Sequence, residues 1–226
     1  MHISEKGRRY QLESYLLEQC GEGDLDDIAD RIVMGDIFIF PSDTVYGIGC
    51  SARNQAAVER IFGVKKRDAG KPLPVFVSSV EAALAMADPL EQDTLERLGR
   101  AFWPGGVTIV ADVVDSGLYV QPSSQGVATS IGFRVPAHDG LLRLLKRGLA
   151  IAQTSLNESG SETIKDLSDQ AVGVLRSGVD FELDSNRCPE GTSSTVVRVT
   201  RIGFKVLREG TVSGADIADV MGGHPL

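Results

Sequence analysis

The feature that most constrains the fold is the run Ile37-Phe38-Ile39-Phe40, four unbroken apolar residues closed by Pro41. Such a run suits a strand buried on both faces, and proline cannot carry a sheet ladder onward. Strands of that kind belong to sheets covered by helices. The flanking sequence supplies them. An acidic start at Asp24 precedes Ile28, Ile32 and Val33 at helical spacing, and Gly35 stands where a glycine would end the helix. Further on, Asn54 is placed to cap a helix carrying Val58, Ile61 and Phe62, which runs directly into a basic segment.

The same reasoning places strands over 45–49, 73–77, 107–114, 127–135, 149–154, 180–183, 194–200 and 204–208. Ser78 with Glu81, and Asp88 with Glu91 after Pro89 at the first helical position, read as two capping boxes. The second opens a helix with Leu95, Leu98 and Phe102 on one face, so Phe102 and Trp103 are assigned to the core. A leucine-rich helix over 140–146 is closed by Gly148, and a short helix covers 168–176. Neither repeats nor a dividing linker are found. The expectation is one mixed-sheet α/β domain over 24–212, preceded by a leader, 1–23, without a clear strand, and followed by a tail, 213–226.

With 226 residues and 42% of them hydrophobic, the chain is long enough for a full core. No apolar stretch approaches the roughly 20 residues of a membrane helix. Lys6, Arg8 and Arg9 are followed by polar sequence instead of an apolar signal core, so a cytoplasmic location without membrane contact is expected. Cys20, Cys50 and Cys188 offer neither a disulfide framework nor a CxxC site, and His2, His138 and His224 are too scattered for zinc; no protein-held metal is expected. A net charge of −8 argues against wrapping nucleic acid with the whole surface. Yet Lys65, Lys66, Arg67 and Lys71 crowd one stretch, offset by Asp68 alone. That stretch is either a solvated basic turn or a phosphate site, where lysine gives a point charge and arginine a planar fork.

Two further loops carry chemistry. Between the strands at 37–40 and 45–49, Ser42, Asp43 and Thr44 offer hydroxyls and a carboxylate, either to a ligand or to their own backbone. After the strand at 149–154 comes a second such loop, with Ser155 and Asn157. Ligands of α/β sheets lie beyond strand ends, so these loops and the basic stretch can converge.

The run PSDTVYGIGC is similar to the PTDTVYGLG signature of the YrdC/Sua5 family, which also includes YciO-like members. Lys65 and Arg67 match its K-x-R element, and Ser155 and Asn157 its S-x-N. Lys71-Pro72-Leu73, Phe102 to Thr108, Ser130 to Pro136, Gly191 to Val196 and Arg208-Glu209-Gly210 resemble its remaining elements in order, over 35–210. The resemblance implies a twisted mixed β-sheet with flanking helices. It implies a nucleotidyltransferase that combines L-threonine, bicarbonate and ATP, with Mg²⁺, into L-threonylcarbamoyladenylate and pyrophosphate. That product feeds the t6A modification of tRNA, with t6A-pathway proteins as partners.

Carried over residue by residue, Lys65 and Arg67 are the catalytic pair against the triphosphate, with Ser130, Asn157 and Arg208 also on ATP. Ser42, Thr44, Lys71, Ser155 and Ser194 belong to the substrate side, and Arg134 to the threonine carboxylate, which an arginine fork recognises bidentately. The structural alternatives are a surface ion pair for Arg134, plain strand positions for Ser194 and Thr195, and loop-holding for Asn157. The chain departs from the family pattern at Ser42 for threonine, Phe76 where many members have histidine, Gly106-Val107 for Pro-Leu, and Leu156 for alanine. These departures bear on the amino acid more than on the nucleotide. The rival reading is a YciO-like protein that holds double-stranded RNA or tRNA on the same fold.

Overall fold

Phe38–Phe40 forms strand β2, and every residue from Ile37 to Phe40 has zero exposure. Alternation decides where each side chain goes. Ile37 and Ile39 join a core with Ile48, Cys50, Val58, Ile61 and Phe62 on one face of the sheet. Phe38 and Phe40 join a second core on the other face, with Leu25, Ile28, Ile32, Leu141, Leu144 and Phe181. Phe38 stacks on Phe181 with ring centroids 5.2 Å apart. Each buried phenylalanine contributes about 2–3 kcal/mol through area alone, so this strand anchors both layers.

The protein's computed structural model describes residues 12–157, 167, 173, 175–185 and 191–223. In chain order the elements are β1 (Glu13–Leu16), α1 (Glu22–Met34), β2, β3 (Gly47–Ser51), α2 (Gln55–Lys65), β4 (Val75–Phe76), α3 (Val80–Leu84), α4 (Gln92–Phe102), β5 (Val107–Asp112), β6 (Ser130–Arg134), α5 (Asp139–Leu145), β7 (Ile151–Ser155), β8 (Phe181–Asp184), β9 (Thr195–Thr200), β10 (Gly203–Arg208) and α6 (Gly214–Met221). Among the described residues the strands form one mixed ten-stranded sheet, ordered β1-β8-β2-β3-β7-β4-β6-β5-β9-β10. α1 and α5 pack together over the Phe38 face, and α2, α4 and α6 lie over the other.

Helix punctuation follows the sequence closely. Gly35 ends α1 at φ 110°, and the Asn54 side chain accepts from the Ala57 amide at 3.1 Å to open α2. The two capping boxes do not hold as expected. Ser79, not Ser78, caps α3. Glu91 precedes α4, but its carboxylate is buried and turned to the Asp112 amide (2.7 Å) and Arg198 (3.0 Å), because a buried charge needs those partners. Trp103 is buried, with its indole N–H on the Val107 carbonyl at 2.6 Å, and Phe102 packs against the same core.

Both chain ends hold more structure than their composition suggests. Within 12–23 lies β1, which pairs in parallel with β8. Its register with β8, not its own polar pattern, makes it a strand. Beyond residue 213, α6 is capped by Ser213 and Asp216 and buries Ile217 completely against the core shared with α4. The expected helix over 168–176 falls largely outside the described residues, as do Cys188, His2 and His224. Among the described residues no helix is long and apolar enough to cross a membrane.

Candidate functional site

β2 stops at Pro41, and the chain returns antiparallel as β3 with Phe40 opposite Gly47. Gly47 is required there: a Cβ at that position would lie 2.5 Å from the Phe40 ring. The intervening loop is fixed from within. Ser42 Oγ donates to the Val45 carbonyl at 2.6 Å and accepts from the Thr44 and Val45 amides at 3.3 and 3.2 Å. Thr44 Oγ1 stands 3.2 Å from it as well, so the hydroxyl is fully engaged and Ser42 is a loop former. Tyr46 anchors the far side of the loop through Asp184 at 2.8 Å.

Arg134 ends β6 beside Phe76 of β4 and lies almost wholly out of solvent, 3% exposed. It is therefore no surface ion pair. Its Nε donates to the Gly105 carbonyl (2.8 Å), Nη1 to Thr44 Oγ1 (2.8 Å) and Nη2 to Asp43 Oδ1 (2.6 Å). The guanidinium also stands 5.5 Å from the centre of the Phe76 ring. Three of its five N–H groups are thereby used, leaving one on each terminal nitrogen. Burial presses its pKa below the usual arginine value, Asp43 opposes that shift, and Arg208 adds to it.

Arg67 reaches the same place by another route. Lys66, at φ 47°, closes α2 in the left-handed conformation, and the chain turns so that Arg67 donates to Thr154 Oγ1 (3.2 Å) and to the Lys71 and Pro72 carbonyls (2.8 and 3.1 Å). Arg208 at the end of β10 donates to the Ser194 carbonyl at 2.8 Å. Burial lowers the pKa of both side chains. Ser194 Oγ bonds Thr108 Oγ1 at 2.9 Å. Neighbouring Thr195 is more than a plain strand residue: it accepts from the Gly210 amide at 2.9 Å and so ties down the turn behind Arg208.

These groups surround a cleft of about 160 Å³. Of the residues singled out in the sequence, Ser42, Thr44, Arg67, Arg134, Ser155, Ser194 and Arg208 line it. Lys65, Lys71, Ser130 and Asn157 do not. Lys65 is buried at the end of α2, its ammonium bonded to the carbonyls of Ser155 (2.7 Å) and Asn157, where it braces the loop after β7. Asn157 accepts from Ser155 Oγ at 2.5 Å and holds that same loop. Lys71 is exposed and offers Arg67 only its carbonyl. Ser130 starts β6, four residues or about 13 Å from Arg134. Sequence reasoning passed over Thr154 and Gln153 of the lining, although both stand at the end of an expected strand beside the hydroxyl loop.

Three arginines and no carboxylate make the lining anion-selective. Among the described residues no group of three or more His, Cys, Asp or Glu side chains could hold a metal ion. The cleft lining does not fit a resident Mg²⁺.

The model of the family described as telomere recombination, which takes in Sua5, YciO and YrdC, matches residues 30–210. A threonylcarbamoyl-AMP synthase of Aliivibrio fischeri is 31% identical over 189 residues, 82% of this chain and 98% of that one. Among solved structures, Sua5 of Pyrococcus abyssi complexed with L-threonine superposes with a TM-score of 0.81 at 28% identity, covering 94% of this chain. This chain spans 61% of the Pyrococcus one. Escherichia coli YciO shares the fold, with a TM-score of 0.74 at 22% identity over 90% of this chain and 97% of that one. With most of its length matched, the chain is a member of the Sua5/YciO/YrdC family.

Proposed function

We propose that the chain joins L-threonine, bicarbonate and ATP into L-threonylcarbamoyladenylate and releases pyrophosphate, which would supply the t6A modification of tRNA and the pathway proteins that consume this intermediate. The observation that carries this reading is the meeting of Arg134, buried and held on three sides, with Arg67 and Arg208 in one cleft. Support also comes from the name of the Aliivibrio relative and from the Pyrococcus complex.

Arg134 clamps the carboxylate of the amino acid, with its two remaining N–H groups pointing the fork at an anion. Thr44 Oγ1 accepts from Arg134 and lies 3.2 Å from Ser42 Oγ, so it ties the arginine fork to the signature loop. Arg67 and Arg208 take the phosphate oxygens. Lys65 serves the nucleotide by bracing the loop of Ser155 and Asn157, in contrast to the direct triphosphate contact implied by the family motif. In the reaction, the threonine amine adds to the carbon of bicarbonate with loss of water. An oxygen of the resulting carbamate then attacks the α-phosphorus, and the bond to the β-phosphate oxygen breaks to release pyrophosphate. No protein nucleophile is used. The side chains position reactants and neutralise charge.

Incubation of purified protein with ATP, Mg²⁺, bicarbonate and each amino acid in turn, following pyrophosphate and the mass of the nucleotide product, tests the proposal. The expected result is release that depends on threonine. ATP binding without turnover for any amino acid would overturn it. An RNA affinity falling steeply with salt would then favour the YciO-like role.

A further inference from the structure

Asp43 is the residue of the signature loop to which the proposed reaction gives no task. Its Oδ1 takes the 2.6 Å bond from Arg134 Nη2, while Oδ2 has no partner among the described residues. No buried side-chain nitrogen or oxygen among them lacks a partner, so Oδ2 reaches solvent. The carboxylate is 16% exposed and the guanidinium 3%, so the acid is the more open member of the pair. The cleft lining holds no acidic group; Asp43 stands in sequence between the lining residues Ser42 and Thr44 and bonds a third lining residue, Arg134.

An acid and a base held side by side with unused valence on each form the complement of a zwitterion. In an α-amino acid the carboxylate and the ammonium sit on one carbon. A ligand whose carboxylate lies on the free Nη donors of Arg134 therefore brings its ammonium beside Arg134's own counter-ion. We propose that Asp43 Oδ2 binds the α-ammonium of the amino acid, making Asp43 and Arg134 together a site for free α-amino acids that rejects plain carboxylates and peptides blocked at the amine. This rests on the assignment of Arg134 to a ligand carboxylate. Asp43 thus has two tasks: Oδ1 holds Arg134 in place, and Oδ2 reads the substrate.

Calorimetric titration of the wild type and of Asp43→Asn with two ligands, L-threonine and its des-amino counterpart 2,3-dihydroxybutanoate, tests the inference. The wild type is expected to bind threonine at least about tenfold more tightly than the des-amino acid. Asp43→Asn, which keeps the side chain's shape and one carbonyl acceptor, is expected to lose that preference, weakening threonine and sparing the other ligand. Equal binding of the two ligands to the wild type overturns the inference, and that comparison needs no variant to fold. Equal weakening of both ligands by Asp43→Asn also overturns it, since a merely structural role through Arg134 gives that pattern, and so does failure of threonine to bind the wild type. Threonine-dependent pyrophosphate release without discrimination between the ligands leaves the proposed reaction standing and removes this site. Discrimination without release does the reverse.

Discussion

Replacing Gly210 with alanine tests whether the turn after β10 aims Arg208. A Cβ at Gly210 would lie 2.1 Å from the Ser193 carbonyl oxygen and 2.5 Å from the Ser194 carbonyl carbon. Both are backbone atoms, so no rotamer change relieves the clash, and the turn must retreat by roughly 1.3 Å or more to reach ordinary contact. Retreat pulls on two bonds that fasten the turn to β9, Gly210 N–H to Thr195 Oγ1 (2.9 Å) and Thr211 N–H to the Ser193 carbonyl (3.1 Å). Overpacking costs about 1–3 kcal/mol, and each weakened bond about 1 kcal/mol more. Together these give roughly 3–5 kcal/mol, large but within the roughly 5–15 kcal/mol of a typical domain. Urea unfolding followed by the fluorescence of the single tryptophan, Trp103, measures the loss. Arg208, two residues before the glycine, should lose its 2.8 Å hold on the Ser194 carbonyl. ATP affinity, read by calorimetry, should then fall about tenfold while threonine affinity stays as it was. A stability change below about 0.5 kcal/mol would refute the packing argument. A large change with unaltered ATP affinity would refute the aiming of Arg208.

Arg67→Ala should weaken ATP by about 10- to 100-fold, as loss of charge-assisted bonds does, and leave threonine binding in place; calorimetry with each ligand checks this. Ser42→Ala should lower stability by about 1–3 kcal/mol through the stranded Thr44 and Val45 amides, and Ser42→Thr should restore it in urea melts if the hydroxyl serves the loop. Burial pushes the Cys50 thiol up to about 12, so thiol reagents at pH 8 should label it only in the unfolded chain, as read by mass spectrometry. The sign of the linked pH effect follows from the same burial. Below about pH 9 the thiol is protonated folded and unfolded alike, and between about 9 and 12 only the unfolded chain ionises, so stability falls by about 1.4 kcal/mol per pH unit. Cys50→Ala should remove that part of the alkaline decline.

Where local chemistry decides, the fold was legible in the sequence. Gly35 and Asn54 mark helix ends by their own conformational and hydrogen-bonding habits, and the run 37–40 announces a doubly covered strand. β1 was not legible, because four residues with exposed Glu13 and Ser14 become a strand only once β8 lies beside them. β4 shrank from five expected residues to two for a related reason, its ladder being set by β6 and β7. Lys65 shows a signal that was present and overlooked. Val58, Ile61, Phe62 and Lys65 follow the spacing of one helix face, which turns the lysine inward with the core residues, whereas Arg67 lies past the end of α2 and is free to turn toward the cleft.

The candidate site adds a different limit. A motif such as Pro41 to Gly49 marks where a loop stands, but each polar group in it has a fixed number of bonds to give, and the fold spends some of them before any ligand arrives. Ser42 spends all of its own inside the loop. Arg134 spends three of five, on partners 29, 90 and 91 positions away in sequence, distances at which no local pattern speaks. What remains for chemistry is the remainder: two N–H groups on Arg134 and one oxygen on Asp43. Those three unspent valences differ in sign and sit together, and for that reason they describe a ligand carrying both charges better than one carrying a carboxylate alone.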